Sequence, residues 1–342
     1  LEHTASGLEI GDISGAIDYR HGHGLRAREL KAALWGQPLR AQIGPGPVAA
    51  SGRRSMKLQA RAAVTSASVQ RWLRLPALAF ADGSSEWELS IDWPAGGSGE
   101  PPRLLLRSDL QGLAVTLPPP FGKSAEQLRA LEVRTEASES TRNWRVRYAN
   151  LATALFESGH RDLRGRVVLG DGAISRRTLP EQGVSISGQL QQLKVQDWLS
   201  TVERIQRLEH AAGREFDNAW TLTVQGLRVL ELDLFGQVLR RPVLDLSMVE
   251  QRWQLGWRHP RTAGRLRLPI SGEPYQFDLD RLYLPLAGAS LKLVERAPAD
   301  GLLAEIDPGS LPHARVHIDQ LKFDQQALGQ WSFTTVPGRR RL

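Results

Sequence analysis

Three features of the sequence predict a mostly β protein, built as a long antiparallel meander with one or two short helices. Apolar and polar residues alternate over most of the chain, as in "LELDL" at 230–234, and a period of two is typical of a half-buried strand. Short turn-forming segments rich in Gly, Pro and Asp separate these stretches, which favours hairpins between consecutive strands. Apolar residues at helical spacing are confined to a few short stretches.

The clearest alternating stretches define the predicted strands. In chain order they are 86–93, 143–148, 183–190, 220–224, 227–234, 243–248, 252–257, 265–270, 275–279, 315–318 and 331–335.

Two stretches have helical rather than strand periodicity. Trp198, Val202, Ile205 and Leu208 are spaced for one face of an amphipathic helix near 196–212. A shorter helix is predicted over 68–76, where Pro76 ends it. A loose joint is predicted at 94–103, but it is too short to require a domain boundary. We therefore expect residues 1–342 to form a single elongated segment of a longer chain.

The composition excludes several functional classes. The chain has no cysteine, so thiol catalysis, zinc–thiolate sites and disulfides are excluded within it. Its net charge is +7, from 44 Lys and Arg against 37 Asp and Glu. Most arginines fall on the polar alternates of strands, which is typical of a solvated outer face, so we do not predict a nucleic-acid partner.

Neither a catalytic nor a metal-binding constellation stands out. His313 and His317 are four residues apart, but they fall on a predicted strand, where that spacing separates them too far for one metal ion. Glu88 and Asp92 would share a strand face, as any extended strand allows, and no Walker, GxSxG or GxGxxG motif is present. We therefore expect no enzyme activity, no metal and no cofactor.

The order of several motifs resembles the YhdP family within the AsmA-like proteins of Gram-negative bacteria. These motifs are "SVQRWLRLP" with "DGSSEWELSI" (68–91), "SDLQGLAVTLPPPFGK" (108–123) followed by "WRVRY", "VSISGQLQQLKVQDWLS" (184–200), and "LRVLELDLFGQVLRRPVLDL" followed by "WQLGW" and "AGRLRLP". Each motif is degenerate alone, whereas their order covers nearly the whole segment. The family's N-terminal inner-membrane helix has no counterpart among them.

The resemblance implies a strongly twisted sheet folded into an elongated groove that conducts phospholipids between the inner and outer membranes. It places the chain in the periplasm, with an inner-membrane anchor and both membrane contacts in parts outside this segment. Phospholipids are then the partners, held by the apolar strand face. The residues expected on that face are Leu89, Ile91, Val146, Val184, Ile186, Leu222, Val224, Leu230, Leu232, Leu234, Leu244, Leu246, Met248, Leu255, Leu266, Leu268, Phe277 and Leu279.

Two alternatives use the same strands differently. The apolar faces of two sheets could meet in closed β-sandwiches, giving a structural or interaction module of the cell envelope. A carbohydrate-binding module would instead place tryptophans on the polar alternates, but most of the tryptophans share the register of Leu and Ile. Under the groove hypothesis, an Asp in place of Leu232 or Leu246 displaces lipid and leaves the protein folded.

Overall fold

The chain is mostly β, as the sequence predicts. A computed structural model describes residues 2–3, 7–20, 24–48, 54–73, 76–94, 101–136, 142–158, 163–211, 222–234, 237–249, 252–269, 273–284, 313–324 and 326–336. Within these residues there are twenty-two strands and two α-helices.

Internal contacts divide the chain into two compact units. The N-terminal unit comprises Leu1–Val184 and Ser200–Trp220, and the C-terminal unit comprises Ser185–Leu199 and Thr221–Leu342. The predicted joint at 94–103 falls within the N-terminal unit, where residues 95–100 lie outside the described residues. The single elongated segment remains a prediction.

The N-terminal unit is an antiparallel meander. Its strands are β1 (Glu2–His3), β2 (Leu8–Gly15), β3 (Asp18–Arg20), β4 (Gly24–Leu34), β5 (Gln37–Val48), β6 (Arg54–Thr65), β7 (Ala81–Trp93), β8 (Arg103–Ser108), β9 (Leu113–Val115), β10 (Leu131–Glu136), β11 (Arg142–Tyr148), β12 (Ala152–Ser158) and β13 (Leu163–Leu169). The hydrogen-bonded order is β2–β4–β5–β6–β7–β8–β10–β11–β12–β13. β1 pairs with β2, β3 with β4 and β9 with β7.

The C-terminal unit continues the same pattern with one exception. Its strands are β15 (Leu222–Leu234), β16 (Gln237–Arg240), β17 (Val243–Val249), β18 (Arg252–Arg258), β19 (Thr262–Arg267), β20 (Tyr275–Leu284), β21 (Ala314–Phe323) and β22 (Gln326–Thr335), while β14 (Gly183–Lys194) includes residues of both units. The order is β15–β17–β18–β19–β20–β21–β22, with β16 also on β15. The β20–β21 pair is parallel, whereas the meander predicted from the sequence is antiparallel throughout.

The two helices lie close to their predicted positions. α1 spans Ser66–Leu73 and α2 spans Val195–Ala211. At the start of α1, the Thr65 hydroxyl accepts a hydrogen bond from the backbone N–H of Ser68 at 3.2 Å, as an N-cap residue does. A 3₁₀ turn over Pro76–Phe80 precedes β7.

Candidate functional site

A continuous row of apolar side chains crosses the sheet of the C-terminal unit. Directly opposed residues of neighbouring strands point to the same face of a sheet, so the register of each pair shows which side chains line up. We call this set the Leu255 row: Val224, Leu246, Leu255, Leu266, Phe277, Val316 and Phe333. With strands about 4.8 Å apart, seven strands extend it over roughly 29 Å.

A second row runs beside the first on the same face, two residues further along each central strand. This Trp257 row consists of Leu227, Leu244, Trp257, Gly264, Leu279, Ile318 and Trp331. Gly264 lies opposite Trp257, and a Cβ there would come within 2.9 Å of the Leu279 Cα. The absence of a Cβ at Gly264 therefore allows β20 to lie close to β19 beside Trp257. The Trp257 Nε1–H donates a hydrogen bond to the Thr262 hydroxyl at 3.2 Å.

The opposite face of these strands is polar. The residues between the two apolar rows form a row of their own: Asp245, Gly256, Arg265, Asp278, His317 and Ser332. Beside it, Arg258 forms an ion pair with Asp245, and Arg267 lies 3.6 Å from the Asp278 carboxylate. This part of the sheet is therefore apolar on one side and charged on the other.

The N-terminal unit has an apolar row of the same kind. We call it the Leu89 row: Leu30, Ala41, Ala60, Leu89, Leu106, Val133, Val146, Ala154 and Val167. It crosses nine strands, or roughly 38 Å. On the other face the neighbouring positions alternate in charge, with ion pairs of 2.7 Å between Arg61 and Glu88 and 3.0 Å between Arg107 and Glu132.

Side-chain exposure distinguishes the Leu89 and Leu255 rows, but not the Trp257 row, from the interior of a sandwich. In the N-terminal unit, Leu89, Leu106, Val133 and Val146 are only half-buried, whereas a second sheet packed face to face would bury such central positions. The Leu255 row is also half-buried at most of its positions, although Leu266 within it is fully buried. The Trp257 row is buried except at Trp331, which is 49% exposed.

Many of the predicted site residues lie in these rows. Seven of those in the C-terminal unit lie in the two rows: Val224, Leu244, Leu246, Leu255, Leu266, Phe277 and Leu279. Leu89 and Val146 belong to the Leu89 row, and Ile91 lies in the next row, opposite Leu58 and Leu104.

The remaining predicted residues lie outside these rows. Met248 is opposite Trp253 at the end of β17, and the Leu268 N–H donates to the Trp253 carbonyl at 2.9 Å, just after β19. Leu222 begins β15 and is half-buried, as is Ile186, while Val184 on β14 is buried.

Leu230, Leu232 and Leu234 also lie outside the rows, toward the end of β15. Leu244 lies opposite Leu227, and Leu232 lies opposite Leu239. Leu227, Val229 and Leu232 are buried whereas Arg228 and Glu231 are exposed, so exposure does not alternate regularly between Leu227 and Leu232. Leu232 is 1% exposed, so its surroundings are a packed interior rather than an accessible surface.

Several row residues were not picked out from the sequence. Leu106 belongs to "RLLLRS" on β8, where three successive leucines conceal which face each one joins. Ala41, Ala60 and Ala154 are too small to mark an apolar face by themselves. Val316, Ile318, Trp331 and Phe333 fell on predicted strands, and only the pairing of β20 with β21 places them in line with Phe277 and Leu279.

No cluster of three or more metal-ligating side chains occurs in the part of the chain that the structure describes. Over the same residues, no helix is long and apolar enough to cross a membrane. The arrangement that the described residues do provide is a pair of broad apolar faces.

The sequence model of a protein family described as YhdP protein matches residues 1–342 of this chain. This chain belongs to the YhdP family. No curated protein and no solved structure matches it. Since the YhdP match extends over both units, the apolar faces of both lie within it, and family membership is consistent with a role in lipid transport.

Proposed function

We propose that this YhdP-family chain is a conduit segment that carries phospholipids between the inner and outer membranes, with their acyl chains on the apolar rows. The chain then acts in the periplasm, in a protein anchored to the inner membrane, and reaches both membranes through parts outside this segment. Its role is transport without catalysis.

The observation that carries the proposal is the Leu255 row, an apolar strip across seven strands with a polar row on the reverse of six of them. Exposing acyl chains to water costs about 0.8 kcal/mol per methylene. For a phospholipid with roughly 30 methylenes this amounts to on the order of 20 kcal/mol. A row of mostly half-buried apolar side chains can replace water around the acyl chains.

Site-specific photocrosslinking tests the proposal. In one variant p-benzoylphenylalanine replaces Leu255, and in the matched control it replaces the adjacent Gln254, which is also half-buried but lies on the polar face. We expect the Leu255 variant, purified from cells and irradiated, to gain the mass of a phospholipid in intact-protein mass spectrometry. Equal adducts at both positions, or an adduct at Gln254 alone, would contradict the proposal.

A further inference from the structure

A second feature lies on the polar face of the N-terminal unit, away from the apolar rows. A cavity of about 400 Å³ opens between β3, β4, β5 and β6, within the size range of small-molecule sites. Four basic residues line it, namely Arg20, Arg26, Arg28 and Lys57, against one acidic residue, Asp18.

None of the four cations is closely paired with a carboxylate within the described residues, although Arg26 lies opposite Asp18 in the strand register. None of them forms an ion pair or a side-chain hydrogen bond there, unlike Arg61 and Arg107 further along the same face. Asp92 is opposite Lys57 in the β6–β7 register, but its buried Oδ1 has no hydrogen-bond partner. Four basic residues against one acidic residue leave the lining of the cavity with a net positive charge, which favours an anion as its occupant.

The floor of the cavity is shaped by Gly44. Gly44 is opposite Lys57 on β6, and a Cβ added to it would meet nothing within 4 Å. Beside it, the Gln42 amide donates to the Gln59 side-chain oxygen at 2.8 Å, which fixes two polar side chains at the wall. The open space above Gly44 is thus part of the cavity between the cations.

A neighbouring cavity of about 800 Å³ shares Arg28 and Lys57 with the first. It is lined by three further basic residues, Arg40, Arg61 and Arg107, and by three acidic ones, Glu29, Glu86 and Glu88, so carboxylates offset part of its positive charge. The excess of basic over acidic lining residues is three at the cavity around Gly44 and two at its neighbour.

We infer that the cavity around Gly44 binds a phosphate-bearing group. Arginine guanidinium groups form paired hydrogen bonds with phosphate oxygens, and lysine adds a point charge. The cavity is larger than a phosphate ion, so the group carries a substituent. A phospholipid with its acyl chains on the apolar rows cannot place its phosphate here, because the cavity is on the other face. The phosphate therefore belongs to a soluble molecule or to a bilayer surface, and the inference does not depend on lipid transport.

Binding of glycerol 3-phosphate, measured by isothermal titration calorimetry with glycerol as the neutral control, tests the site. We expect the double variant Arg28→Gln, Lys57→Gln to bind about tenfold more weakly or worse, since it loses two charge-assisted contacts. The control Arg147→Gln, Arg134→Gln removes two exposed cations of the same face outside the cavity and should retain the wild-type affinity.

Gly44→Gln separates a shaped site from diffuse charge attraction. It leaves every charge in place and fills the space above residue 44, so a shaped site loses affinity while a diffuse basic surface does not. Circular dichroism checks that each variant is folded. Unchanged affinity in a folded Gly44→Gln variant, or equal losses in the two double variants, would overturn the inference.

A vesicle assay identifies the source of the phosphate. Cosedimentation with phosphatidylglycerol vesicles but not phosphatidylcholine vesicles, lost in Gly44→Gln, supports a bilayer head group. Binding of glycerol 3-phosphate without cosedimentation supports a soluble ligand. If the wild-type chain binds neither probe, the inference fails.

Discussion

At the scale of single residues, Lys123 is a cation used to bind backbone carbonyls rather than water. It is buried, and its ammonium group donates to the Leu110 carbonyl oxygen at 2.8 Å and also to that of Leu113. Burial lowers the pKa of Lys123, and the nearby Arg129 guanidinium lowers it further. Arg129 itself donates to the carbonyls of Pro120 and Phe121. Two cations thus hold the segment between β9 and β10 in place.

Replacing Lys123 with Met should destabilise this segment. The methionine fills a similar volume but leaves the Leu110 and Leu113 carbonyls without these donors, which costs about 1–3 kcal/mol. Urea unfolding measures the change. Lys194→Met, at an exposed lysine, is the control and should remain within about 0.5 kcal/mol of wild type. Equal midpoints for the two variants would refute the role given to Lys123.

His259, in the turn between β18 and β19, links stability to pH. Burial lowers the pKa of His259, and the positive charges of Arg261 and Arg281 lower it further. Its Nδ1 accepts a hydrogen bond from the Arg261 N–H at 3.2 Å, which requires an unprotonated Nδ1. The folded protein therefore binds this proton less readily than the unfolded chain.

The stability contributed by neutral His259 is complete above the unfolded pKa of about 6.5 and is lost as the pH falls through the lower folded pKa. We expect the Tm to decrease from about pH 8 to about pH 5, and to decrease less in His259→Asn. The asparagine Oδ1 can accept the same hydrogen bond but does not titrate. Identical pH profiles for the two proteins would show that His259 is not responsible.

At the scale of elements, β15 shows how one residue reassigns a strand's faces. The register with β17 shifts between Val224 and Leu227, where Gly226 has a φ of +62° and its N–H donates to the Asp245 carboxylate at 2.8 Å. This is a β-bulge, and it breaks the period of two. The alternation in "LELDL" predicts the strand correctly but not its relation to Leu244. The glycine within the alternating pattern is the signal that indicates the bulge.

Burial distinguishes what a charge does at two leucines of this region, Leu246 and Leu232. Leu246 is half-buried in the Leu255 row, so Leu246→Asp should leave the protein folded and reduce the phospholipid that copurifies with it. Ser247→Asp adds the same charge on the polar face and should keep its lipid. Lipid quantification by mass spectrometry, together with a melting curve, checks both variants. Equal lipid in the two would contradict the place of Leu246 in a lipid-binding row.

Leu232→Asp has a different expected outcome from the one predicted by the alternation alone. Leu232 is 1% exposed, so the variant buries an unpaired carboxylate at a cost of several kcal/mol. We expect it to unfold or aggregate, which a loss of the cooperative melting transition would reveal. A melting transition like that of wild type would show that this part of β15 is open to solvent.

The eleven predicted stretches fall on ten of the twenty-two described strands, none of them before β7, so at the scale of the whole molecule only the mostly β content follows from the local pattern. The transverse rows do not follow from it. They depend on the register of each pair, and the sequence shows register only where the alternation is unbroken. The parallel β20–β21 pair cannot be predicted from local pattern either, because the two strands are separated by 29 residues. Local alternation contains no information on which distant strand becomes the neighbour.

Removing bound lipid should affect the chain as a whole. Under the proposed function, phospholipid binds only the folded state, and a ligand at 100 times its Kd adds about 2.7 kcal/mol of stability. The delipidated chain should therefore melt at a lower temperature and bind more of the dye ANS, and phospholipid should reverse both changes. Tryptophan fluorescence can follow melting, since the chain has ten tryptophans. A Tm that is insensitive to phospholipid would count against the proposal.

The pairing of β11, β12 and β13, each with the strand before it, also has a consequence for how the chain acquires its fold. Every new strand needs only the one already in place as a template, so little loop-closure entropy is lost at each step. A polypeptide of this kind can become ordered progressively from one end as it is delivered through a narrow exit. β20 is the exception, because one of its edges waits for β21, which arrives 29 residues later. Until β21 is synthesised, the N–H and C=O groups along that edge of β20 have no partner. At this stage of synthesis the growing sheet is most exposed to pairing with a wrong strand.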